Sequence, residues 1–160
     1  MTLVLVAHGT RDPAGARVIG ELAELVRVRL GRVRVEVAFA DVRAPDLATV
    51  LRSERAGAVV VPAFLAAGYH VRVDVPAQAG PGVTVTAPLG PAPGLVAAAH
   101  ERLIAAGARP GDPVVLAAAG SSDPRALADV RRAALLLGAR TGGAVRIGYA
   151  ATATPRIAEA

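Results

Sequence analysis

One phrase occurs twice in this chain. "LVLVAHGTRDP", Leu3 to Pro13, and "VVLAAAGSSDP", Val114 to Pro124, each run an apolar strand into a glycine turn closed by Asp-Pro. His8, Gly9, Thr10, Asp12 and Pro13 align with Ala119, Gly120, Ser121, Asp123 and Pro124 at a constant offset of 111 residues. A second block keeps step: "VEVAFA" at Val35–Ala40 matches "VRIGYA" at Val145–Ala150 at an offset of 110, and Pro45 then matches Pro155. Two matching blocks at nearly equal spacing imply an internal duplication, so two similar lobes are expected.

Leu3–Ala7 is a short continuous apolar run, the pattern of a parallel strand covered on both faces. Asp12 and Pro13 supply a helix start, and Val18, Leu22, Leu25, Val26 and Leu30 recur at helical spacing until Gly31. Val33–Ala40 reads as the second strand, Pro45–Arg55 as the second helix and Ala58–Val61 as the third strand. The order β-α-β-α-β predicts an α/β fold, an open parallel sheet with helices on both faces and right-handed crossovers. "PAFLAAGYHVRVDVP", Pro62 to Pro76, reads as a loop leading into a short helix, followed by a strand over Val83–Ala87 and a helix from Leu95 to Ala106. "GARPGDP", Gly107 to Pro113, is the best linker. The first lobe is therefore placed at 1–108 and the second copy at 112–160. That copy holds a strand, a helix, a strand and the start of another helix, with no counterpart of "PAFLAAGYH". Its open sheet edge is expected to be covered by another subunit or by residues beyond this chain, and a homodimer is one way to do so.

Composition narrows the chemistry. The chain has no cysteine, which removes disulfides and thiolate metal sites and leaves His and carboxylate as the strong ligands. The net charge is +5, yet all 18 basic residues are Arg, scattered through helices and loops, and aromatics make up only 2%. Nucleic-acid binding, which wants a basic stripe and stacking rings, is not expected. No apolar run reaches the roughly 18 residues of a membrane span and no cleavage signal opens the chain, so a soluble, cytoplasmic protein is expected.

In open parallel sheets, ligands bind outside the carboxyl ends of the strands. His8 follows the first strand, Asp41 the second, and His70 lies in the loop after the third. Two imidazoles and a carboxylate on one rim suit a divalent ion such as cobalt, nickel, iron or zinc. The second copy keeps the turn but puts Ala119 where His8 stands, so the turn itself does not require the imidazole. His100 falls within a helix and reads as an ordinary surface residue. Arg11, Arg43 and Arg72 sit two or three residues from the three candidates and form a cationic fringe for an anionic ligand. A histidine phosphatase would want Arg just before the nucleophilic His, where this chain has Ala7.

"VAHGTRDP", an acid shortly after "VEVAF", and "VPAFLAAGYHVRVDVP" together closely resemble the sirohydrochlorin chelatase family, the class II cobalto- or ferrochelatases of cobalamin and sirohaem synthesis. The resemblance covers Leu3 to about Leu103. It implies that His8 and His70 are catalytic and bind the metal, with Asp41 where relatives carry an acid, usually Glu. It also implies insertion of Co²⁺, Fe²⁺ or Ni²⁺ into sirohydrochlorin without ATP, the metal being a substrate and no permanent cofactor being needed. Arg11, Arg43, Arg72 and Gly68 would then contact the polycarboxylate macrocycle, Gly68 by letting backbone approach a flat ring. The competing reading is a carrier or sensor that binds metal or tetrapyrrole without catalysis.

Overall fold

The computed structural model describes residues 1–54 and 57–160. The chain packs as two compact units, Met1–Phe64 with Tyr69–Pro88, and Leu65–Gly68 with Leu89–Ala160.

In the first unit, β1 (Thr2–Ala7), β2 (Arg34–Phe39), β3 (Ala58–Pro62) and β4 (Thr84–Val85) form one parallel sheet in the order β2-β1-β3-β4. Strand β1 is central, and its alternation divides the core. Val4 and Val6 pack with Ala38, Val60, Leu47 and Leu51 of α2 (Leu47–Glu54), and Val75 and Ala79 of α3 (Val75–Ala79) on one face. Leu5 packs with Val35 and with Ala23 of α1 (Pro13–Leu30) on the other. Helices therefore cover both faces, which is why β1 reads as an unbroken apolar run. Three elements differ in detail from the sequence expectation. In α1 the inward stripe is Leu22, Ala23 and Val26, while Val18, Leu25 and Leu30 are exposed. Helix α2 begins at Leu47 rather than Pro45, since the Pro45 carbonyl accepts the Phe39 N–H and Asp46 caps the helix by accepting from the Thr49 N–H at 2.6 Å. The expected helix end at Arg55 lies outside the described residues. Strand β4 is shorter than Val83–Ala87, an edge strand hemmed in by Gly82 and Pro88.

The second unit holds α4 (Pro93–Ala105), β5 (Val114–Ala118), α5 (Pro124–Thr141) and β6 (Val145–Tyr149). Strands β5 and β6 pair in parallel and α4 packs on α5. Helix α4, counted with residues 1–108 on the sequence alone, thus packs with the second copy. A single 3-10 turn, Ile157–Glu159, stands where a further helix was expected to start.

The candidate metal centre

His8 is placed by a turn that glycine alone can make. Gly9 has φ +98°, and a Cβ there would lie 2.0 Å from the Asp41 carbonyl oxygen. This close approach joins the turn after β1 to the turn after β2. The Asp41 N–H donates to the His8 carbonyl at 2.9 Å, and the Arg43 guanidinium donates to the Thr10 carbonyl at 2.8 Å. The Asp12 carboxylate then caps α1 by accepting from the Ala14 N–H, so the turn ends in a fixed helix.

His70 arrives by a different route. From β3 the chain runs through Phe64 and the segment Leu65–Gly68 before Tyr69 starts a five-residue π-helical turn, His70–Asp74, that continues into α3. The Val75 N–H reaches back five residues to the His70 carbonyl. Pro76, in the next position, has no N–H for the ordinary bond four residues back, which favours the wider turn. The turn sets Asp74 against His70, with Nδ1 and Oδ2 2.6 Å apart.

The two imidazoles meet edge to face, ring centroids 4.6 Å apart and planes at 83°. Each ring turns Nδ1 toward an oxygen: the Gly9 carbonyl at 3.2 Å for His8 and the Asp74 carboxylate for His70. A carbonyl or an ionised carboxylate can only accept, so Nδ1 carries the hydrogen in both rings. Nε2 is then the lone-pair nitrogen of each, the state in which a neutral imidazole ligates a metal. His8 is exposed and His70 half-buried, so an incoming ion can reach the pair.

The remaining candidates are arranged unevenly. Asp41 stays exposed beside His8, its carboxylate accepting from the Val42 N–H at 2.7 Å. Among the described residues no three His, Cys, Asp or Glu side chains converge as a ligand set, so the structure pairs His8 with His70 and leaves Asp41 outside the pair. Arg11 and Arg72 are exposed, whereas half-buried Arg43 braces the His8 turn. Gly68 belongs to the second unit, where a Cβ would meet Ser121 Oγ at 3.6 Å and Ala126 at 3.8 Å, both ordinary contacts. His100 lies in α4, half-buried. Asp74, in "GYHVRVD", is a further residue of this site that the strand ends do not point to. Its spacing four residues after His70 is the signal that it shares a helical side with the imidazole.

The family model CbiX matches residues 2–106. The chain belongs to the CbiX family. Among curated proteins, the sirohydrochlorin cobaltochelatase of Methanopyrus kandleri is 36% identical over 84 residues, 50% of this chain and 59% of that one. The same-named protein of Methanococcus maripaludis is 38% identical over 78 residues, 46% of this chain and 54% of that one. The matches thus span little more than half of these relatives. SirB from Bacillus subtilis with Fe³⁺ superposes with a TM-score of 0.84 at 24% identity, covering 99% of this chain and 68% of that one. That likeness shows the chelatase fold across both repeats of this CbiX-family chain. Among the described residues no helix is long and apolar enough to cross a membrane.

Proposed function

We propose that this chain is a chelatase that inserts a divalent metal, cobalt, iron or nickel, into sirohydrochlorin in cobalamin or sirohaem formation, without ATP. The observation that carries the reading is the His8–His70 pair, with both Nδ1 atoms spent on oxygen acceptors and both Nε2 atoms left as donors to an ion. The names of the matched relatives support the macrocycle and the reaction class.

Insertion replaces two pyrrole N–H bonds by bonds to the metal, so M²⁺ enters and two protons leave. An imidazole nitrogen that holds the ion cannot also take a proton. The pair is therefore assigned to holding the metal, and the exposed carboxylate of Asp41 to receiving protons at the same rim. Asp74 is a positioning residue that holds the His70 ring in one tautomer and one orientation. Arg11 and Arg72 meet the carboxylates of the substrate by charge, and Arg43 acts through the His8 turn.

Following the absorption band of sirohydrochlorin after addition of Co²⁺, Fe²⁺ or Ni²⁺ tests this directly. The expected result is insertion above the uncatalysed rate, abolished in His70→Ala and lowered about 10- to 100-fold in Asp74→Ala, the usual range for removing a carboxylate behind a metal-binding His. A wild-type rate equal to the protein-free control would overturn the enzyme assignment, and macrocycle binding without insertion would point to a carrier.

A further inference from the structure

We propose that Tyr69 is a substrate-positioning residue whose ring lies against the face of the flat macrocycle, an inference that rests on the chelatase reading above. This chain has only four Phe and Tyr side chains and no Trp. Phe39 and Tyr149 are buried, 6% and 4% exposed. The other two lie next to the histidine pair, one beside each imidazole. Phe64 lies 6.1 Å from the His8 ring and Tyr69 6.2 Å from the His70 ring, so the rings form a continuous row Phe64–His8–His70–Tyr69. All three spacings fall in the range where aromatic rings attract one another.

The two ends of the row differ. Phe64 packs against the core of the first unit, which explains its place there. Tyr69 is 61% exposed, a large ring that the core does not use. Its backbone is helical, φ −53° and ψ −49°, at the entry to the turn that carries His70, so its position is tied to the metal-binding imidazole. Val73, four residues later, and Val42, next to Asp41, are 42% and 51% exposed on the same unit. An aromatic ring with a phenolic hydroxyl fits a conjugated macrocycle edged with carboxylates: the face stacks and the hydroxyl donates to an edge oxygen. The arrangement would hold the ring system beside the imidazoles that present the ion.

The test measures metal-free sirohydrochlorin binding by absorbance titration, and Co²⁺ insertion kinetics, for wild type, Tyr69→Ala and Tyr69→Phe. Tyr69→Ala is expected to weaken binding and raise KM about 3- to 10-fold, the worth of one aromatic contact, while kcat falls by less than about twofold. Tyr69→Phe is expected to recover most of that affinity. Equal affinity in wild type and Tyr69→Ala would overturn the proposal, as would a Tyr69→Phe variant as weak as Tyr69→Ala. Because binding is read without metal, a protein that binds the macrocycle but inserts nothing would sink the catalytic reading and still decide the role of Tyr69. A wild type that does not bind the macrocycle overturns both.

Discussion

The turn after β1 and the turn after β5 are nearly the same object, and only the first carries a histidine. Gly9 and Gly120 have φ of +98° and +95°, and a Cβ would lie 2.0 Å from the Asp41 carbonyl oxygen in one and 2.2 Å from the Ala151 carbonyl oxygen in the other. The Asp41 N–H donates to His8 and the Ala151 N–H to Ala119, both at 2.9 Å. Asp12 and Asp123 cap their helices through Ala14 and Arg125, at 2.8 and 2.9 Å. Val42 and Thr152 share the same positive φ, 49° and 47°. That β-branched strain belongs to the turn in both copies, so it is part of the scaffold and not of the chemistry. What differs within the turns themselves is His8 against Ala119.

The sharpest break in the comparison is His8→Ala, which makes the first turn chemically like the second. Insertion activity is expected to fall at least about 100-fold, while the unfolding free energy stays within about 0.5 kcal/mol, because His8 is exposed and its turn is held by backbone bonds. Parallel rate and urea-melt measurements separate the two. Gly9→Ala and Gly120→Ala should do the reverse, each destabilising its own unit by about 2–3 kcal/mol through the positive φ and the carbonyl clash. A benign Gly120→Ala beside a damaging Gly9→Ala, read from denaturant midpoints, would show that the turns are not equivalent. Asp12→Ala and Asp123→Ala remove matched caps and are expected to lower stability by about 1 kcal/mol apiece in the same assay.

The smallest expected effect exposes a place where the copies diverge. Asp46 caps α2, and the corresponding position of the second copy is Arg156; each bridges to the end of its preceding strand, Phe39 or Tyr149. Hydrogen bonds from the Thr49 side chain and backbone, with a lesser contribution from the Arg52 charge, hold the Asp46 carboxyl below its usual value. A carboxyl lowered in the folded state stabilises it above the unfolded-state pKa, and that contribution is lost as pH falls below about 4 and through the folded value. The first unit should therefore weaken slightly across this acid range, and Asp46→Asn should flatten the dependence. Amide exchange at Thr49, followed against pH, reads it locally.

Much of the scaffold was legible because it is local. Strand β1 announces burial on both faces by its unbroken apolar run, and Asp-Pro announces the helix start in both copies. The N-terminus of α2 lies two residues beyond Pro45, which looks like a first helical residue, because the Pro45 carbonyl accepts from the N–H of Phe39, six residues earlier at the end of β2. Helix α4 shows a similar limit: the Pro/Gly linker after it is conspicuous in the sequence, but its packing on α5 across that linker is not. In the site, strand ends and the motif place His8 and His70 on one rim, while the only trace of Asp74 is its spacing four residues after His70, in a segment that reads as a loop leading into a short helix.

By itself the sequence determined the duplication, the strand-turn-helix units and the separation of scaffold from chemistry, because each is written in neighbouring residues and in an echo 111 residues away. Only tertiary structure decided which groups meet. It set two imidazoles edge to face, turned both Nδ1 atoms to oxygen acceptors, and left the Asp41 carboxylate beside the pair rather than within it. Those outcomes depend on the angles at which separate chain segments converge on one sheet rim, and spacing along the chain does not encode them.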